Sequence, residues 1–218
     1  MSEQDPNEPD WSEVVGLMRE ARSRSRGYAD YWEWKIDKPR AERKVARVLR
    51  NFLVAAGEDL SGDLASITSD PPDVLLRTVD NRRIGIEVTE LVNEKVVKRN
   101  HKRRMDQDPT VDEWALWDAS GVAEALNDKV LKKDQKMLRV QIGAYDELIL
   151  AICTDEPLID EALARAAVVL AGTKTKSINR AYLILSYQPQ SDTTVHPDGC
   201  PVLQINLQPS MEDERTFK

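Results

Sequence analysis

A carboxylate embedded in an apolar strand limits the folds a chain can adopt, because it must find a partner wherever it is buried. This chain has such a residue. Pro72-Asp73-Val74-Leu75-Leu76 is followed, after a polar turn at Asp80-Asn81, by Ile84-Gly85-Ile86-Glu87-Val88-Thr89. The two-residue period of a strand puts Ile84, Ile86 and Val88 on one face and Gly85, Glu87 and Thr89 on the other. A hairpin brings Asp73, at the mouth of its strand, to the same end of the sheet as Glu87. Two carboxylates held there repel each other unless a cation lies between them. That is the donor set of a hard metal site, and such sites commonly serve phosphate chemistry. Without a cation, Asp73 caps the turn after Pro71-Pro72 and Glu87 pairs with an arginine such as Arg83 or Arg77.

The surrounding pattern predicts alternating elements. Asp37 as N-cap and Pro39 in the first turn open a helix. Its apolar positions Val45, Val48, Leu49, Phe52 and Ala56 recur at spacings of three and four, and Gly57 ends it. Strands are expected over 64–68, 73–79 and 83–88. Helical stretches follow over 94–105 and 111–138, the latter interrupted near Gly121. The continuous apolar runs 147–153 and 180–187 read as buried strands. A helix over 158–170 lies between them, and 202–207 alternates like a last strand. The fold class is α/β, with a mixed central sheet flanked by helices. The chain has 218 residues, which suits one domain over 37–210. Residues 1–36 form an acidic tail and an aromatic helical extension containing Trp11, Tyr28, Tyr31, Trp32 and Trp34, and 211–218 form a C-terminal tail. The aromatic cluster either stacks bases or packs against the domain or a second copy.

Two helices carry charge on faces that should be apolar. Glu42 shares a face with Val45 and Leu49, so it needs a partner: a metal beside the strand acids, or a cation at the rim such as Lys38. In 122–138, Leu126, Val130 and Met137 mark the apolar stripe, and Lys129 and Lys133 lie on or beside it. Each either aims its ammonium at the acidic cluster or simply extends to water. Lys132 and Lys136 are expected to be more exposed.

The net charge of −7 argues mildly against a nucleic-acid coat protein. The basic residues are nonetheless grouped, over 19–26, 38–50, 95–104 and 129–139. One such run alone reads as a solvated helix face, but several around one acidic pocket point to a phosphate-bearing partner. No apolar run approaches the roughly 20 residues that span a bilayer. The first residues show no signal-peptide pattern, and Cys153 and Cys200 form no disulfide framework, so a reducing, cytoplasmic setting without membrane attachment is expected. Walker A, GxGxxG and HExxH motifs are absent from the sequence, and His101 and His196 are isolated.

The order of these features resembles the PD-(D/E)XK nuclease superfamily, the restriction-endonuclease-like fold, over roughly residues 38–154. Pro72-Asp73 is similar to its first motif and Glu87-Val88-Thr89 to its second. Glu42 resembles the acid on its first core helix, and 126–133 followed by 148–152 resembles the helix and strand that complete its core. Thr89 stands where the family has its lysine. The resemblance implies a bacterial or phage metal-dependent nuclease hydrolysing phosphodiester bonds, in DNA more than in RNA. Mg²⁺ or Mn²⁺ would be held by Asp73, Glu87 and the Val88 carbonyl. Glu42 would bind a second metal or position water, and Lys129 or Lys133 would replace the missing lysine. If neither reaches the site, the resemblance implies an inactive nuclease fold serving as a nucleic-acid-binding or protein-assembly module. Many relatives of the fold act as dimers, which admits a homodimer.

Overall fold

The computed structural model describes residues 31, 32, 34, 37–67, 71–106, 113–140 and 143–209. The expected N-terminal extension, apart from Tyr31, Trp32 and Trp34, and the expected C-terminal tail lie outside the described residues. Among those residues the chain is a mixed α/β structure with a six-stranded sheet and four helices.

Helix α1 (Lys38–Ala55) begins where the sequence places it: the Asp37 carboxylate accepts the Arg40 N–H at 3.0 Å. Past its end, Gly57 has φ +92°, a backbone conformation that suits a residue without Cβ. Strands β1 (Gly62–Ser66), β2 (Val74–Thr78) and β3 (Arg83–Glu90) follow as an antiparallel meander. Helices α2 (Glu94–Met105) and α3 (Ala119–Met137) then lead to β4 (Glu147–Thr154), which pairs parallel with β3. Helix α4 (Glu161–Leu170), the short β5 (Thr173–Thr175), β6 (Arg180–Leu185), β7 (Val202–Ile205) and β8 (Leu207–Pro209) complete the order. The sheet runs β1-β2-β3-β4-β6-β7, parallel at its centre and antiparallel at its flanks, and β5 and β8 form a separate parallel pair.

Each face of the sheet has its own core. Val45, Leu49 and Leu53 of α1 pack on Val74, Ile84, Ile86, Val88 and Ile149. On the other face Leu126 and Val130 of α3, with Ala164 and Ala167 of α4, pack on Leu150, Ile152 and Leu183. The alternation along β3 therefore hands its isoleucines to α1 and turns Glu87 toward the side that α3 covers.

Several boundaries differ from expectation for local reasons. Helix α3 starts at Ala119, not 111, because Asp118 accepts the Gly121 N–H at 2.7 Å; Gly121 is in the first turn and interrupts nothing. Helix α4 starts at Glu161 because Asp160 accepts the Leu163 N–H at 2.8 Å. The β5–β8 pair was not anticipated, since three-residue strands carry too little periodicity to read.

A buried acid holds α3 to the 176–178 turn. Asp134 accepts the backbone N–H groups of Lys176 (3.0 Å), Ser177 (2.8 Å) and Ile178 (3.0 Å). Asp134→Ala strips these donors of their acceptor. Urea unfolding should show a loss of about 2–3 kcal/mol, the scale of buried donors left unpaired. A loss within 0.5 kcal/mol, roughly that of an ordinary surface change, would show that water replaces the carboxylate.

Candidate functional site

The candidate site forms at the C-terminal half of β3, where three elements meet. The β2–β3 register ends at Val74 opposite Ile86, and continuing it by one residue sets Asp73 opposite Glu87. Asp73 extends the pairing with its side chain: its Oδ2 accepts the Val88 N–H at 2.8 Å. Asp73 is 7% exposed, Glu42 6% and Glu87 0%.

Glu87 is neutralised by lysines, not by an arginine. Lys133 Nζ lies 2.6 Å and Lys136 Nζ 3.0 Å from its Oε1. Both ammonium groups donate to that one oxygen, and Oε2 has no hydrogen-bond partner among the described residues. Lys136, expected at the surface, is half-buried against Glu87: it follows Lys133 by three residues and so shares its helical face. That spacing was the available signal for it.

Glu42 makes the local pair that its sequence position allows, with Lys38 Nζ 2.8 Å from its Oε1 one turn earlier. It is also close enough to Asp73 to act on it. Burial pushes the Asp73 carboxyl above its ordinary range, and the Glu42 carboxylate adds to the rise. The Val88 N–H and the Lys133 and Lys38 ammonium groups oppose it. Lys133 thus acts on Glu87 by contact and on Asp73 through space.

Beside these acids opens a cleft of about 430 Å³, whose wall includes Lys38, Lys98, Lys129 and Lys133 together with Val88 and Thr89. Lys98 is tied to Glu94 at 3.6 Å. Lys129 makes no ion pair among the described residues, so its charge is available to the cleft. The wall also carries Glu90 and Glu94; Asp73 and Glu87 do not line it, and Lys133 both lines it and contacts Glu87. The structure therefore brings Glu42, Asp73, Glu87, Val88 and Lys133 together and puts Lys129 at the cleft. It adds Lys38 and Lys136, which sequence reasoning did not assign to the site.

The donor set suits a hard divalent ion. Mg²⁺ commonly takes only one or two protein carboxylates and completes its shell with water and phosphate oxygens. Asp73 and Glu87 supply two, and the buried Glu87 Oε2 is an acceptor still lacking a donor. Among the described residues, no three His, Cys, Asp or Glu side chains converge as a ready ligand group.

Two outcomes follow from these contacts. Removing either lysine alone leaves Glu87 one counter-charge, whereas Lys133→Ala/Lys136→Ala leaves a buried carboxylate unpaired. The double variant should lose about 3–5 kcal/mol in urea unfolding, more than the sum of the single losses; additive small losses would show that Glu87 is neutralised in another way. Asp73 gives a pH signature. Its folded-state proton affinity is raised, so its stabilising contribution is full below the ordinary carboxylate range and is lost as pH rises through the raised value. Asp73→Asn should therefore raise Tm at pH 7, and the gain should vanish below about pH 4, the ordinary carboxylate range. A Tm difference independent of pH would contradict this.

No family pattern, no curated protein and no solved structure matches the chain.

Proposed function

We propose that this protein is a metal-dependent nuclease with a restriction-endonuclease-like core of the PD-(D/E)XK kind, cleaving phosphodiester bonds in DNA. The observation that supports it most is the fully buried Glu87, opposite Asp73 in register and in contact with Lys133, which also lines the cleft. A purely structural acid is cheaper to replace with an apolar side chain than to bury with two lysines. A site that must accept a divalent cation and a phosphate needs both signs of charge within reach.

Asp73, Glu87 and the Val88 carbonyl would hold Mg²⁺ or Mn²⁺. The bound ion would supply Lewis acidity toward the phosphate and a water of lowered pKa. The protein's own groups do the rest. Asp73 is aligned by the Val88 N–H. Glu42 sits where it can accept a proton or order a water next to Asp73. Lys129, which lines the cleft, meets the charge that develops on the phosphate oxygens. Lys133 replaces Thr89, which lines the cleft but carries no charge. For Lys133 to reach phosphate it exchanges Glu87 for substrate, while Lys136 stays on the carboxylate.

A second reading has an observation of its own. Lys133 and Lys136 already neutralise Glu87, the balance expected if the fold has lost catalysis and serves as a nucleic-acid-binding or assembly module.

Nicking of supercoiled plasmid separates the two. Wild type with Mg²⁺ or Mn²⁺ should nick, and Asp73→Ala and Glu87→Ala should each be slower on the order of 10²-fold or more. Equal rates in all three would reject the nuclease. Mn²⁺ at 100 times its Kd should also raise the wild-type Tm by about 5 °C or more, through about 2.7 kcal/mol of binding linkage. The Asp73→Ala variant should show no rise, whereas a catalytically dead scaffold shows none even in wild type.

A further inference from the structure

The cations of this chain are not treated alike. Among the described residues Lys38, Arg82, Lys98, Arg99, Arg103, Lys133, Lys136, Arg165 and Arg180 each meet a carboxylate. Several other described cations meet none among the described residues, and five of these, Arg40, Arg43, Lys44, Arg47 and Arg50, belong to α1. These five lie together. With Leu64 of β1 they line a groove of about 520 Å³ between α1 and the edge of the sheet.

Three of them are held in place by neutral oxygens, which fix the side chain without bringing a described carboxylate to it. Arg50 donates to the Gly62 carbonyl and to Asn51 Oδ1, both at 3.1 Å. Arg43 donates to Ser66 Oγ at 3.3 Å. Lys44 donates to the Tyr31 carbonyl at 3.0 Å, with its ammonium 3.9 Å from the centre of the Tyr31 ring. Arg40 and Arg47 project into solvent from the same face.

We infer that this groove is a track for the phosphate backbone of duplex nucleic acid, independent of sequence. Positions 40, 43, 44, 47 and 50 recur every three to four residues and so form one stripe. Its length is about 15 Å at 1.5 Å per residue, or roughly four nucleotides at 3.4 Å per step along a strand. The lining is five cations and one leucine, with no carboxylate and no aromatic ring on which a base would stack, so the partner that fits it is a run of closely spaced anions, the phosphates of a backbone. The groove and the cleft share no lining residue, but both border α1, through Arg40 and through Lys38. The inference rests on the nuclease reading only in taking the bound backbone for that enzyme's substrate.

Binding of the full-length chain to a fluorescent 20-base-pair duplex, in EDTA across a salt series, tests it without any cleavage. Wild type should bind unrelated sequences equally. Arg40→Gln/Arg43→Gln/Arg47→Gln should weaken binding on the order of tenfold or more and flatten the log–log salt slope by nearly three, one counterion set per lost phosphate contact. The matching triple lysine variant should keep the wild-type slope, because the charge is retained. Lys132→Gln/Arg139→Gln, exposed on and just beyond α3, should bind as wild type does. Circular dichroism melts confirm that each variant is folded.

Wild-type affinity in the triple glutamine variant would overturn the inference. So would an equal loss in the Lys132/Arg139 control, which would make net charge the cause. Preferential competition by poly-glutamate would reassign the groove to an acidic protein. Failure here with nicking that depends on Asp73 intact would remove the track and leave the nuclease. Binding that depends on the groove, with no nicking in any metal, would keep the track and remove the nuclease.

Discussion

The carboxylate of Glu87 decides how the two halves of this molecule fit together. It lies on the central strand pair, shielded from water, and α3 brings two lysines to it. An uncompensated charge in that position would oppose folding more strongly than most single contacts favour it. The placement of α3 over the sheet is therefore an electrostatic requirement as well as a hydrophobic one. Leu126 and Val130 bury the apolar stripe of the helix, and its C-terminal half must then place Lys133 and Lys136 over the strand that holds the acid.

The same economy explains the neighbouring groups. Asp73 ends the β2 edge of the hairpin by accepting a backbone N–H with its side chain, a contact that also aims its carboxylate at Glu87's end of the strand. Glu42 reaches the cluster from the opposite face of the sheet, with Lys38 beside it. Acids thus approach from both layers, and lysines from both layers balance them. Charge is matched inside this cluster, whereas along α1 a basic stripe is matched by no described carboxylate. Such a stripe presents a local positive field to anions that the protein's net negative charge would repel.

Much of the fold was legible because it rests on short-range signals. Asp37 and Pro39 mark the start of α1, and Asp80-Asn81 marks the hairpin turn, where Asn81 adopts φ 67°. The runs in β4 and β6 are apolar without interruption because both faces of those strands are covered. The start of α3 was not legible: residues before Asp118 have helical composition, and the boundary depends on one capping hydrogen bond. The site was legible in its acids and in Lys133, since charges on apolar faces stand out. Lys136 was expected to be exposed, although its spacing from Lys133 places it on the same face, where the strand acid draws it in.

The sequence by itself determined which residues had to find partners: Glu87 through strand alternation, Glu42 through helical spacing, and Asp73 through its place at a strand mouth. Those follow from periodicities of two and 3.6 residues, which are properties of the local backbone. Only the tertiary structure decided who the partners are. Lys133 and Lys136 lie more than forty residues from Glu87, and a hydrogen-bonded ion pair depends on the register of β3 against β4 and the seating of α3 across them. No local pattern encodes those distances, because they are set by how two hydrophobic faces close on one sheet.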